Sequence, residues 1–130
     1  MSPSDVISAE ATKNGFDPVM FNSVIQTMLL KRTAMMMFAN STVLLLISMG
    51  NGNFAAKFIT QDPPILFADS LKKFVGQIKK VKNIISVYGD NKEEGIIKML
   101  QNIGLKVNNA GKEGYNWEIN FHGRKNGGNI

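Results

Sequence analysis

The 130-residue chain has no cysteine, one histidine, one tryptophan and four prolines. Without cysteine there is neither a disulfide framework nor a thiolate metal site, so its stability has to come from packing. His122 has no thiol or recognisably placed serine to act on, and a base with no orienting partner makes a triad a poor reading. Last on the polar side of a strand pattern, it reads as an exposed histidine. Asp90, Glu93 and Glu94 read as cap and first-turn carboxylates of a helix rather than ligands of a divalent ion. Residues 89–95 (GDNKEEG) lack the spacing and the Lys-Ser/Thr ending of a phosphate loop. The expectation is a protein that is not an enzyme, with no catalytic residue, no metal site and no cofactor.

Charge is missing over one long stretch. From Thr33 to Met49 (TAMMMFANSTVLLLISM) there are seventeen residues without an ionisable side chain, and the uncharged run continues to Ala56. A helix rising 1.5 Å per residue approaches the roughly 30 Å of a hydrocarbon core over that length. Met35, Met36, Met37, Phe38, Val43, Leu44, Leu45, Leu46 and Ile47 would cover every face of it, which a helix packed on one side does not need. This predicts a transmembrane helix over about 33–49; a buried core helix is the alternative. Asn40, Ser41 and Thr42 interrupt the run. Small polar residues in mid-membrane face another helix, so these three are the predicted helix–helix contact, unless they bond back to their own helix.

Around the span the chain divides into a mobile tail (1–17), a helix that includes the span (18–50), a linker (51–64), a small α+β domain (65–122) and a basic mobile tail (123–130). Asp17-Pro18 signals a helix start, with Phe21, Val24, Ile25, Met28 and Leu29 on one face. Gly50-Asn51-Gly52-Asn53 reads as the helix end, and Asp62-Pro63-Pro64 as a rigid joint. Phe67, Leu71, Phe74, Val75, Ile78 and Val81 then form one helical stripe. Strands are predicted over 83–88, 105–108 and 115–122, with a helix over 91–102 between the first two. The expected fold is therefore α+β, an N-terminal transmembrane helix followed by an α-β-α-β-β domain.

Net charge is +5 with a pI near 9.6. The excess lies after residue 56, and Lys72, Lys73, Lys79, Lys80 and Lys82 stand off the apolar stripe as a candidate contact for an anionic surface. The same lysines serve equally as the solvated side of a domain helix. Tyr115, Trp117 and Phe121 on one strand near lysines allow nucleic-acid stacking, although aromatics sharing a face with Ile119 read more simply as core.

The order of a short tail, a basic pair, one span and then Gln61-Asp62-Pro63-Pro64-Ile65-Leu66-Phe67-Ala68-Asp69 resembles the IcmL/DotI family of type IVB secretion and conjugation systems. The resemblance covers about 50 residues, and nothing after Asp69 follows the family. It implies an inner-membrane scaffold subunit and assigns no catalytic residue. Together these readings predict a single-pass structural or docking subunit of a multi-protein envelope or secretion-type assembly, oligomeric and in contact with other membrane subunits. Lys31-Arg32 before the span place the N-terminus in the cytoplasm and the domain outside it. The alternatives are a basic module binding nucleic acid or an anionic membrane surface, and a small holin-like membrane-active protein.

Overall fold

The computed structural model describes residues 1–90 and 94–123. The uncharged stretch is three β-strands rather than a helix: β1 (Ala34–Ala39), β2 (Thr42–Gly50) and β3 (Asn53–Thr60). Two short turns divide it. Asn40-Ser41 joins β1 to β2, with Asn40 at φ +52°, a left-handed conformation that asparagine tolerates better than most residues. Asn51 and Gly52 join β2 to β3 with φ of +57° and +80°. Positive φ at both central residues is the turn whose twist matches that of paired strands, and Asn-Gly is its preferred sequence.

Five more elements follow the hairpins: α3 (Pro64–Ile78), β4 (Ser86–Gly89), α4 (Glu94–Asn102), β5 (Asn108–Asn109) and β6 (Trp117–Asn120). Two helices precede them, α1 (Pro3–Lys13) and α2 (Pro18–Leu30). The strands form one six-stranded sheet in the order β1-β2-β3-β4-β6-β5. All neighbours are antiparallel except β3 and β4. A parallel pair needs a long crossover, and α3 supplies it.

Helices cover both faces of the sheet. On one side α3 and α4 bury Phe67, Leu71, Phe74, Val75, Ile78, Ile96 and Leu100 against Leu44, Leu46, Ala56, Val87, Trp117 and Ile119. On the other, α1 and α2 bring Val6, Ile7 and Ile25 onto Val43, Leu45 and Ile59. Alternate residues of β2 thus enter different cores, and Val43 to Leu46 are buried on both faces.

Several expectations fall here. No helix among the described residues is long and apolar enough to cross a membrane. The predicted transmembrane helix, the membrane localisation and the topology built on it are therefore overturned. The apolar run had no period because both faces of a sandwiched strand are buried. Asn40, Ser41 and Thr42 form a hairpin turn instead of a contact between spans. The expected tail over 1–17 holds α1, started by a Ser2–Asp5 capping box in which the Ser2 N–H holds the Asp5 carboxyl below its usual range. The expected linker over 51–64 is mostly β3. The predicted α-β-α-β-β unit is no separate domain, since its strands extend the sheet begun by β1–β3. The joint resembling a post-membrane segment is the β3–α3 connection. The predicted basic tail lies, from residue 124, outside the described residues, as do residues 91–93 of the helix predicted over 91–102.

A polar cluster locks the first turn to α3. Asn40 Nδ2 donates to Ser70 Oγ at 2.9 Å and Asp69 Oδ2 at 3.1 Å, and Ser70 Oγ donates to Ala39 O at 3.0 Å. Asp62 Oδ2 accepts from Ser41 N and from Thr42 Oγ1, both at 2.8 Å. Thr60 Oγ1 in turn lies 2.6 Å from Thr42 Oγ1. At the far end of the sheet His122 Nδ1 is 2.9 Å from Ile84 O and Nε2 is 3.0 Å from Lys79 O. Both oxygens only accept, so the ring bonds to both only when it carries both protons.

The turn gives a direct test. Asn40→Gly keeps the left-handed backbone and loses the amide bonds, at a cost of about 1 kcal/mol. Asn40→Ala loses both, and should unfold in urea with about 1–2 kcal/mol less stability than the glycine variant. Equal stabilities of the two variants would refute the role given to backbone strain.

Candidate functional site

The parallel pair β3–β4 is short. Only Asn53, Phe54 and Ala55 pair with Ser86, Val87 and Tyr88, after which β3 runs on to Thr60 without a described partner on that side. Gln61 N donates to Ser41 O, which fixes the alternation: odd residues of β3 bond to β2, and even ones turn their backbone the other way. The N–H and C=O groups of Phe58 and Thr60 therefore face an opening between the strands. In open sheets with parallel strands, such an opening at the carboxyl ends is where ligands bind.

That opening leads into a cleft of about 390 Å³. Phe58, Phe67, Ile96 and Met99 give it an apolar wall; Thr60, Asp62, Glu10 and Lys13 form a polar rim. Its size falls in the range of small-molecule sites. The α3 end of the cleft is a poor phosphate cradle. Pro63 is the N-cap, makes no side-chain cap and is followed by Pro64, so two successive residues lack the N–H that an anion would need.

In the core against β4 lies Trp117, 2% exposed, whose Nε1 is buried without a hydrogen-bond partner among the described residues. Gly89, the last residue of β4, lets the indole lie against the strand, because a methyl group there would overlap it. An unpaired buried donor costs about 1–3 kcal/mol, and such groups in native structures concentrate where something else is bound or strained.

On the sheet face covered by α1 and α2 over β1–β3, the remaining strands present polar residues. Lys57 and Asp90 each sit two residues beyond the last β3–β4 pair, and their side chains meet at 2.7 Å across the parting strands. Both are about half exposed, so the bridge contributes at most about 1 kcal/mol. Next to it Tyr88 faces Glu118 on β6, its ring 5.8 Å from that of Tyr115 and 5.6 Å below Lys112 Nζ. Burial first, then the Glu118 carboxylate, hold the Tyr88 hydroxyl above its usual range, so at neutral pH it remains a proton donor.

The residues predicted from sequence lie elsewhere. Asn40, Ser41 and Thr42 anchor the β1–β2 turn. Lys72, Lys73, Lys79 and Lys80 are exposed along α3 and just past it, with Lys82 beyond, and Lys73 Nζ pairs with Asp69 at 3.0 Å. Trp117 is core and unavailable for stacking bases, while Tyr115 and Phe121 are half-buried. Among the described residues no group of three His, Asp or Glu side chains could hold a metal ion. Lys57, Tyr88 and Glu118 were missed, and Asp90 was read only as a helix-cap carboxylate, because only the strand order brings the four together.

Two measurements address this geometry. In an ultraviolet titration one phenol should ionise above pH 10 and disappear in Tyr88→Phe, and Glu118→Gln should bring it down. The sign follows from a raised folded-state pKa: the stability that Tyr88 contributes is present below pH 10 and fades as pH climbs through the folded value. Gly89→Ala should displace the indole and shift the emission of the only tryptophan. An unchanged spectrum would mean that the packing of Trp117 on Gly89 is looser than the contact implies. No family model, curated protein or solved structure matches the chain.

Proposed function

We propose that this chain is a small-molecule-binding domain whose site is the crevice between β3 and β4, and whose ligand is a neutral, extended arm carrying amides. One observation carries the reading: among the described residues β3 has no strand partner beyond Ala55 on the β4 side, and the backbone groups of Phe58 and Thr60 turn toward that side, where both residues line a part-apolar cleft. Unpaired strand groups in a concave site are completed by an extended guest that bonds to them as another strand would. The proline pair speaks against anchoring through phosphate.

A second reading follows from Tyr88. A thiol-ended diamide arm can carry an acyl group, and Tyr88 stands protonated where the strands part. Attack by an amine on the thioester carbon forms the C–N bond, the C–S bond breaks, and the leaving sulfur takes the phenolic proton. The attacking amine's proton goes to solvent, which returns one to the Tyr88 phenolate. In this reading the domain transfers acyl groups rather than only binding their carrier.

The test is an amide-resolved NMR titration with pantetheine, an end-blocked extended tripeptide and inorganic pyrophosphate, followed in parallel by tryptophan emission. Saturable shifts of the Phe58 and Thr60 amides with either neutral arm support the binding reading, and which arm binds identifies the guest. Binding of pyrophosphate alone, or shifts confined to distant surface amides, would end it. Acyl transfer from an acetylated arm, lost in Tyr88→Phe while binding persists, separates the second reading from the first.

A further inference from the structure

The sheet has two edges, and they differ. β5, at one edge, has two residues, which is too short to template another strand. β1, at the other, has six residues, AMMMFA, with no charge and no proline. It carries no bulge in its pairing with β2. Its free side follows from the register. Ser48 N donates to Thr33 O, so Met35, Met37 and Ala39 bond to β2, while Ala34, Met36 and Phe38 turn their N–H and C=O outward. Proteins normally blunt such an edge with lysine, proline or a bulge. None of these protects β1.

We propose that β1 is the interface through which two copies of this chain pair, antiparallel about a two-fold axis at Met36, into one continuous sheet. Face and hydrogen-bond register allow an axis at Ala34, Met36 or Phe38, and Met36 pairs β1 over the greatest length. A continuous sheet keeps each face on its own side, so residues facing α3 must meet residues facing α3, and those facing α2 likewise. Pairing about Met36 satisfies this: Met35 meets Met37 of the second copy, on the α3 side. Ala34 meets Phe38, and Met36 meets Met36. The same register sets outward-turned residues opposite one another, and each such pair exchanges two hydrogen bonds, about six in all. The interface is isologous, as a closed dimer requires.

Two further observations choose a second copy over a different partner. Beside β1 lies α2, which has no charged residue, and which leaves Val19 79% and Leu30 82% exposed, with Met20 and Val24 also in solvent. A chain of net charge +5 can meet itself at an uncharged border without repulsion. The register also brings opposite charges together. About the Met36 axis, Arg32 falls opposite Asn40 of the second copy, and Asn40 holds the Asp69 carboxylate at 3.1 Å. Each end of the paired strands therefore sets an exposed Arg32 beside the other copy's Asp69, whose ionised form the Asn40 amide and Lys73 favour. This inference is independent of what the crevice binds.

Sedimentation of the full chain from micromolar to near-millimolar concentration should show a reversible dimer, and in it the amides of Ala34, Met36 and Phe38 should exchange slowly, speeding up on dilution. Arg32→Glu should weaken dimerisation about tenfold or more, Asp69→Lys likewise, and the charge-swapped double variant should recover most of the loss. Circular dichroism checks that each variant is folded. The wild-type exchange measurement needs no variant at all. A monomer across the whole range would overturn the proposal, as would a dimer whose three β1 amides exchange freely, or a double variant no better than the singles.

Discussion

Burial of β2 on both faces is the constraint on which the structure rests. Four consecutive residues, Val43 to Leu46, lose almost all contact with solvent, two into each core. Each such side chain stabilises the fold by about 1.5–3 kcal/mol relative to exposure, provided that something apolar lies on both sides. One helical layer would satisfy only alternate residues. That is why the chain has α1 and α2 as well as α3 and α4, and why the N-terminal residues are helical at all: Val6, Ile7 and Ala11 form the lid over half of the strand. The sheet is then free to be polar where no second layer reaches, over β4 and β6, and Tyr88 and Glu118 sit there.

The polar cluster around Asp62 sets where that sheet opens. Asp62 ties the β1–β2 turn to the end of β3, and Ser70 and Asn40 tie the same turn to α3. The chain leaving β3 is thereby pulled toward β2 and away from β4. α3 must start from that point and cross over the sheet before β4 can begin. Among the described residues the β3–β4 pairing ends at Ala55 and Tyr88. Pro63 and Pro64 stiffen the departure and remove donors that would otherwise make the helix start an anion site.

These relations explain what could be read from the sequence and what could not. The stripe from Phe67 to Ile78 is buried on one side of α3, and Trp117 and Ile119 alternate inward on β6, because each of these elements has one wet face. β2 has none, so its residues show no period, and length alone then favours a helix. Two local signals marked the correct division. Asn51-Gly52 is the strongest short hairpin signal a sequence offers, and Asn40 sits at a left-handed position between apolar runs. α1 was harder: three buried side chains among serine, threonine and acidic residues give little amphipathic contrast, although Ser2 and Asp5 spell out a capping box. The crevice was not legible from sequence, since Lys57 and Asp90 stand 33 positions apart and meet only once β4 is known to lie parallel to β3.

Two stretches of backbone that face no paired strand among the described residues, one on β3 and one on β1, have different surroundings, and that difference determines what each can accept. At β3 the free groups belong to Phe58 and Thr60, flanked by α3, α4 and the end of α1, so the opening is walled and admits a narrow guest. At β1 the outward groups of Ala34, Met36 and Phe38 lie along the border of the sheet, with no strand beyond them among the described residues. An open border of uniform character discriminates poorly among small molecules but accommodates another strand along its full length.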